Sequence, residues 1–87
     1  MTEYHNNMHQ KIFPDLTTKQ FIVLVHYSLG KSAKIIEDEL NCSRTTIEKH
    51  LSEIRIKFNC SKSSEIRAIY FMRIITNNIF IKRLGFS

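Results

Sequence analysis

Apolar residues recur at intervals of three and four positions through the middle of this 87-residue chain, and polar residues fill most positions between them. Such spacing places the apolar side chains on one face of an α-helix. The clearest apolar groups are Phe21, Val23, Leu24 and Tyr27, and then Ile47, Leu51, Ile54 and Phe58. From residue 16 to residue 66 the pattern predicts three short amphipathic helices and the start of a fourth.

Capping residues define the first of these helices. Thr17 is followed three positions later by Gln20, which is the spacing of a capping box. Gly30 is suited to the left-handed conformation that commonly ends a helix. We therefore predict a first helix over about residues 18–29.

Two further caps stand close together. Ser32 predicts a second helix over residues 33–40, and Asn41 is suited to end it. Ser43 predicts a third helix over residues 44–58. Only a tight turn fits between these two helices, which is the arrangement of a helix-turn-helix.

A fourth helix is predicted from Glu65 to about Thr76, ended by Asn77 and Asn78. The segment 79–87 is apolar and basic, and it has three interpretations: a return onto the core, a dimer contact, or a membrane-surface piece. We favour the first two, because so short a segment does not form a stable amphipathic anchor on its own.

Before the first helix the chain is polar, and Pro14 stops any helix that precedes it. Residues 1–15 are interpreted as a flexible lead segment, with Ile12 and Phe13 as candidates for packing on the core. The predicted organisation is a lead over residues 1–15, a helix-turn-helix domain over residues 16–76 and a tail over residues 77–87.

Composition narrows the fold class. Hydrophobic residues make up 43% and charged residues 24% of the chain, as in ordinary globular domains, but there are only two glycines and one proline. An all-β domain needs more turn residues than this. We predict a single small all-α domain, which has little room for a large active-site cavity.

Charge is distributed unevenly along the chain. Residues 1–43 contain four Lys/Arg and five Asp/Glu, whereas residues 44–87 contain nine and three, so the net charges are −1 and +6. The basic half begins at the predicted third helix. This asymmetry fits a polyanionic partner, and the alternative is an ordinary solvated basic surface.

Cys42 and Cys60 each end an apolar stretch, and we interpret them as small core residues rather than as a disulfide pair. No signal peptide is recognisable, and no apolar run approaches the roughly 18 residues of a membrane span. The expected setting is a reducing cytoplasm, without a membrane partner.

Three segments, LTTKQFIVL, GKSAKII and CSRTTIEKHLSEIRIKFNC, followed by Glu65 and Ile66, resemble the DNA-binding domain of the LuxR/GerE family of bacterial transcription regulators. The most specific positions are Thr46, Ile47, His50, Ile54, Lys57 and Phe58. The resemblance implies an all-α, four-helix helix-turn-helix domain with a short C-terminal extension. It also implies a cytoplasmic, nucleoid-associated bacterial protein that binds double-stranded DNA.

In this family the third helix lies in the major groove and the fourth commonly makes a two-fold dimer contact. The resemblance places base reading on Glu48, Lys49 and Ser52. It places phosphate contacts on or around Lys34, Ser43, Arg44, Thr45, Thr46, His50, Arg55 and Lys57. It places the homodimer contact on Ile69, Tyr70 and Arg73.

The chain departs from many relatives at Glu48, where Lys or Arg is common. A carboxylate repels phosphate but accepts a hydrogen bond from cytosine N4, whereas Lys49 can donate to guanine O6 and N7. The departure leaves the target sequence open. Leu51, which the helical spacing places on the core side, also replaces a residue that is polar in many relatives, so it is expected either to be partly exposed and serve a contact or simply to pack.

No residue constellation predicts catalysis, a metal site or a cofactor. His50 has no carboxylate, serine or cysteine at a spacing that completes a site, so a structural or phosphate-bonding role is expected. His5 and His9 are four positions apart, but two ligands without a third make a weak metal site, and a flexible lead is the better interpretation.

Three alternatives to a LuxR/GerE-type regulator remain open, and one of them also binds DNA. The first is a protein-interaction module that keeps the fold and binds RNA polymerase or another regulator through Glu48, Glu53 and the apolar fourth helix. The second is a sigma-factor region four, which shares the LTTKQ opening but usually carries a longer first loop. The third and most remote is an enzyme.

Overall fold

The computed structural model describes the backbone of residues 8–81 and the side chains of residues 8–77. Within this range the chain forms five helices and no strand, so the all-α prediction is confirmed. The first helix, α1, includes residues 8–12. The other four are α2 (Thr18–Ser28), α3 (Ala33–Leu40), α4 (Arg44–Phe58) and α5 (Ser63–Ile81).

The capping box predicted for α2 is present. The Thr17 hydroxyl accepts a hydrogen bond from the Gln20 backbone N–H, and the Gln20 side-chain Oε1 accepts one from the Thr17 N–H, both at 3.1 Å. After α2 ends at Ser28, Gly30 adopts a φ of 90°, a conformation that favours glycine. Local sequence signals therefore set both ends of this helix.

The helices α3 and α4 begin and end where the caps predict. Ser32 and Ser43 each accept a hydrogen bond from the backbone N–H three residues ahead. Asn41 and Asn59 take left-handed conformations, with φ of 55° and 57°, and their backbone N–H groups bond to carbonyls of the preceding turn. The turn between α3 and α4 is accordingly only three residues long, from 41 to 43.

Two clusters of buried side chains hold the helices together. The smaller cluster joins α2, α3 and α4 and consists of Val23, Ile36, Ile47 and Leu51. The larger cluster joins α2, α4, α5 and the segment before α2, and it consists of Phe13, Leu16, Phe21, Leu24, Val25, Ile54, Ile66 and Tyr70. Because α2 and α4 contribute to both clusters, the helix-turn-helix is packed directly against the rest of the domain.

The residues before α2 differ from the prediction of a flexible lead. Residues 8–12 are helical and Phe13 is fully buried. The ring of His9 stacks on Phe21, with centroids 5.0 Å apart, and its Nε2 lies 2.6 Å from the Leu16 carbonyl oxygen. Burial of Phe13 in the core holds this part of the chain on the domain, whereas residues 1–7, including His5, lie outside the described range.

The predicted end of the last helix at Asn77 and Asn78 is wrong, because α5 continues to Ile81. Asparagine costs less than about 1 kcal/mol in a helix interior and does not remove a backbone donor as proline does. Ile74, one turn earlier, packs against the larger core cluster and anchors the helix there. The rest of the predicted tail, residues 82–87, lies outside the described range. Among the described helices, none combines the length and the apolar character needed to span a membrane.

Candidate nucleic-acid interface

The inner face of α4 is fixed by the core. Ile47 and Ile54 are fully buried, one in each core cluster, and Leu51 is 8% exposed beside Ile47. Of the two expectations for Leu51, packing is the one observed, because its side chain lies in the smaller cluster with Val23 and Ile36. These contacts prevent α4 from rotating about its axis.

The outer face of α4 carries four residues in one line, which we call the outer line: Thr45, Lys49, Ser52 and Ile56. On a helix with 3.6 residues per turn these positions fall within about 60° of one another and opposite the buried positions. Thr45, Lys49 and Ile56 are exposed and Ser52 is half-buried. Two of the predicted base-reading residues, Lys49 and Ser52, are thus presented to solvent side by side.

Glu48, the third predicted base-reading residue, lies at the edge of this face. Its carboxylate Oε2 is 3.3 Å from Nε of Arg44, one turn earlier, and both side chains are largely exposed. An exposed ion pair of this kind contributes at most about 1 kcal/mol. Arg44 therefore offsets the charge of Glu48. Because the ion pair is weak, either side chain can exchange it for another partner at a small cost in free energy.

The N-terminus of α4 presents small polar groups. The Ser43 hydroxyl accepts a hydrogen bond from the Thr46 N–H at 3.1 Å and lies 2.9 Å from the Thr46 hydroxyl. Thr45 is exposed beside them, and Lys34 is exposed on α3. The partial positive charge of a helix N-terminus favours anions at such a position.

His50 stands at the inner edge of this surface. Its side chain is 17% exposed and lines a concavity of about 160 Å³ together with Lys19, Ile22, Val23, Leu40 and Cys42. The buried Nδ1 atom makes no hydrogen bond within the described part of the chain, and Glu53 Oε1 is 3.7 Å away. This arrangement holds the ring between α2 and α4, and it places the Glu53 carboxylate beside His50 at a spacing of three residues, a neighbour that the sequence prediction for His50 did not include.

Arg55 and Lys57, near the C-terminal end of α4, are engaged within the domain. Lys57 Nζ donates to Oε1 of Gln20 at 2.8 Å, and the Gln20 amide Nε2 donates to Glu53 at 3.0 Å. Arg55 Nη1 donates to the Ser61 carbonyl at 3.2 Å. The sequence pattern identifies the role of Gln20 in the cap of α2 but not these bonds to α4, which connect residues more than thirty positions apart.

The predicted dimer residues on α5 occupy three different environments. Tyr70 is 6% exposed, and its ring stacks on Phe13 with centroids 5.5 Å apart. Arg73 pairs with Asp15 at 3.1 Å and also donates to the Ile12 carbonyl, whereas Ile69 is half-buried. The Tyr70 ring completes the core and therefore leaves little surface for a contact with another molecule.

Another face of α5 is apolar and exposed. We call it the α5 outer face: Ala68, Phe71, Met72 and Ile75. Helical periodicity places these residues opposite the buried Ile66 and Tyr70. The signal available in the sequence was that α5 is apolar all round its axis, which indicates contacts on two sides.

Carboxylates support the ends of the helices. Burial alone would raise the pKa of Asp15, but the hydrogen bond and charge of Arg73 lower it below the ordinary value. Backbone N–H groups of Lys62 and Ser61 lower the pKa of Glu65 at the start of α5. Lys31 similarly lowers the pKa of Glu39 through a 2.6 Å hydrogen bond.

Cys42 and Cys60 are free and half-buried. Burial, together with the charge of Glu65, raises the pKa of the Cys60 thiol and keeps it protonated at neutral pH. Among residues 8–81, no group of three or more His, Cys, Asp or Glu side chains is arranged to hold a metal ion.

The helices α2, α3 and α4 pack on one another, a three-residue turn joins α3 to α4, and one face of α4 is exposed. This arrangement defines a helix-turn-helix domain. The chain belongs to the luxR family of bacterial regulatory proteins, of GerE type, whose pattern matches residues 14–69. The predicted family is thus confirmed, and its members are DNA-binding transcription regulators rather than a class of enzymes. No curated protein and no solved structure matches the chain significantly.

Proposed function

We propose that this protein is a sequence-specific regulator that places α4 in the major groove of double-stranded DNA. The observation that carries the proposal is the division of α4 into a buried inner face and the exposed outer line. A helix fits the major groove and reads base edges with outward side chains near its N-terminus. Lys49 and Ser52, with Glu48 beside them, read the bases.

Phosphate contacts form around this helix. Lys34 and the N-terminal residues of α4 provide the first group: Ser43, Arg44, Thr45 and Thr46. His50 contacts a phosphate only through an edge of its half-buried ring. Arg55 and Lys57 form a second group, and each exchanges its present partner, Ser61 or Gln20, for a phosphate oxygen.

We also propose that the protein binds as a homodimer through α5. The α5 outer face replaces Tyr70 in this role, with Ile69 and Arg73 at its margin, because Phe71, Met72 and Ile75 are the exposed large apolar side chains of the helix. A two-fold dimer would set the two α4 helices about one turn of DNA, or about 34 Å, apart. The target sequence is then an inverted repeat.

The free thiols of Cys42 and Cys60 fit a reducing compartment, and we propose that the protein acts on the bacterial nucleoid in the cytoplasm.

The decisive experiment is the selection of bound sequences from a random duplex pool, followed by salt titration of the selected duplex. We expect an inverted repeat, and an affinity that falls log-linearly with salt because phosphate contacts release counterions.

Lys49→Ala should cost about 1–3 kcal/mol of binding free energy and relax selection at one base pair. Lys11→Ala removes an exposed charge from α1 and serves as the matched control. Failure to select any sequence at low salt would refute the proposal.

The exposed α5 outer face favours a second candidate, a protein-interaction module that binds RNA polymerase or another regulator. Such a module would bind its partner mainly through apolar contacts, so its affinity would depend only weakly on salt. The same titration therefore separates the two functions.

A further inference from the structure

Ile56 is the most exposed large hydrophobic side chain in the described part of the chain, with 75% of its surface accessible. It lies on the outer line of α4, one turn beyond Ser52. Its position on the candidate DNA-reading surface, rather than its exposure alone, makes it informative, since isolated exposed apolar residues are common.

The surroundings of Ile56 limit what it can contact. Its helical neighbours one turn away include Ser52, Glu53 and Asn59, so it does not continue an apolar patch along its own helix. A single side chain offers far less area than a protein interface requires. It also has no hydrogen-bond donor for a phosphate oxygen. The remaining feature of the major groove that the Ile56 side chain matches is a methyl group on a base.

We propose that Ile56 reads a thymine by packing against the 5-methyl group that this base exposes in the major groove. This inference rests on the function proposed above. From Thr45 to Ile56 the helix rises about 16 Å, at 1.5 Å per residue. The outer line thus extends the reading surface by one turn beyond Lys49 and Ser52.

The test uses the selected duplex and replaces each thymine in turn with deoxyuridine, which removes only the 5-methyl group. We expect one position in each half-site at which this change weakens wild-type binding about fourfold, the value for one buried methylene-sized group. Ile56→Ser should weaken binding to the thymine duplex and should make binding insensitive to deoxyuridine at that position. Coupling between the protein and DNA changes is the diagnostic result.

Leu29→Ser is the matched control, because Leu29 is a 63% exposed aliphatic side chain at the end of α2. It should leave the response to deoxyuridine unchanged. Ile56→Ala is a second truncation and a better helix former than serine, so it keeps the test valid if the first variant folds poorly. Circular dichroism of both Ile56 variants before binding establishes that they are folded.

Each other outcome has a definite meaning. If the wild-type protein binds its selected duplex with steep salt dependence but no thymine is coupled to Ile56, the inference is overturned and the proposed function stands. Equal loss on all duplexes with Ile56→Ser also overturns it and indicates a contact that does not read bases. If the wild-type protein binds no duplex, both proposals fail.

Discussion

Replacing Gln20 with methionine tests the connection between the cap of α2 and the recognition helix. Gln20 is 5% exposed, and its amide bonds to the Thr17 N–H, to Lys57 Nζ and to Glu53 Oε1. Methionine has a similar length and volume, so the change removes the three hydrogen bonds without opening a large cavity. Any loss of stability therefore reports on the polar contacts.

The expected loss is about 2 kcal/mol. Each hydrogen bond contributes roughly 0.5–1.5 kcal/mol net, and bonds to charged groups contribute more. Lys57 is exposed and Glu53 is half-buried, so both recover part of this energy from water after the substitution. For a domain of this size, about 2 kcal/mol lowers Tm by roughly 8–16 °C.

Urea denaturation followed by circular dichroism measures the loss, with an unchanged m-value as the check that only stability has changed. Lys57→Met is the partial control, and the double variant with Gln20→Met should lose less than the sum of the single losses, because the two residues share a bond. A loss below about 0.5 kcal/mol for Gln20→Met, or strict additivity, would refute the reasoning.

Three other changes have clear expected results. Phe13→Ala removes a fully buried ring from the larger cluster and should cost about 3–5 kcal/mol in urea denaturation; a near-neutral result would mean that the segment before α2 does not support the core. Because the folded pKa of Asp15 is lowered, its contribution to stability is present above its ordinary pKa of 3.8 and is lost as pH falls through the lower folded value. Asp15→Asn should therefore lower the free energy of unfolding at pH 7 and flatten its decrease between about pH 4 and pH 2, and equal acid sensitivity of both proteins would contradict this. Met72→Asp places a charge on the α5 outer face and should abolish a dimer in analytical ultracentrifugation while leaving the monomer folded; a wild-type protein that is monomeric both free and on its DNA would contradict the proposed dimer.

Helix boundaries near the turn could be predicted because they depend on local chemistry. Ser43 caps α4 with its own hydroxyl, and Asn41 ends α3 in a left-handed conformation that asparagine tolerates. Neither feature requires knowledge of distant contacts. The periodicity of α4 likewise predicted its buried face, including Ile47 and Ile54.

What the sequence did not predict depends on contacts between distant residues. The sequence marks Phe13 as a candidate for packing on the core, but nothing near it in the sequence indicates its partner, the ring of Tyr70 on α5. Continuation of α5 beyond Asn77 depends in the same way on tertiary packing that overrides a mild local preference. The positive charge of Lys57 indicates a phosphate contact. Its hydrogen bond to Gln20 could not be predicted, because it depends on the packing of α2 beside α4.

The helix α3 has eight residues, and Ile36 is its only buried side chain. So short a helix is unstable alone, and beside Ile36 only the partly buried Ala33 and Leu40 pack on the core, so we expect α3 to open at a lower free-energy cost than α4. Amide hydrogens of α3 should exchange with deuterium faster than those of α4, and bound DNA should slow that exchange. Recognition of DNA would then include the ordering of α3. Target sequences would differ in how well they stabilise the folded helix-turn-helix as well as in the contacts that they make with it.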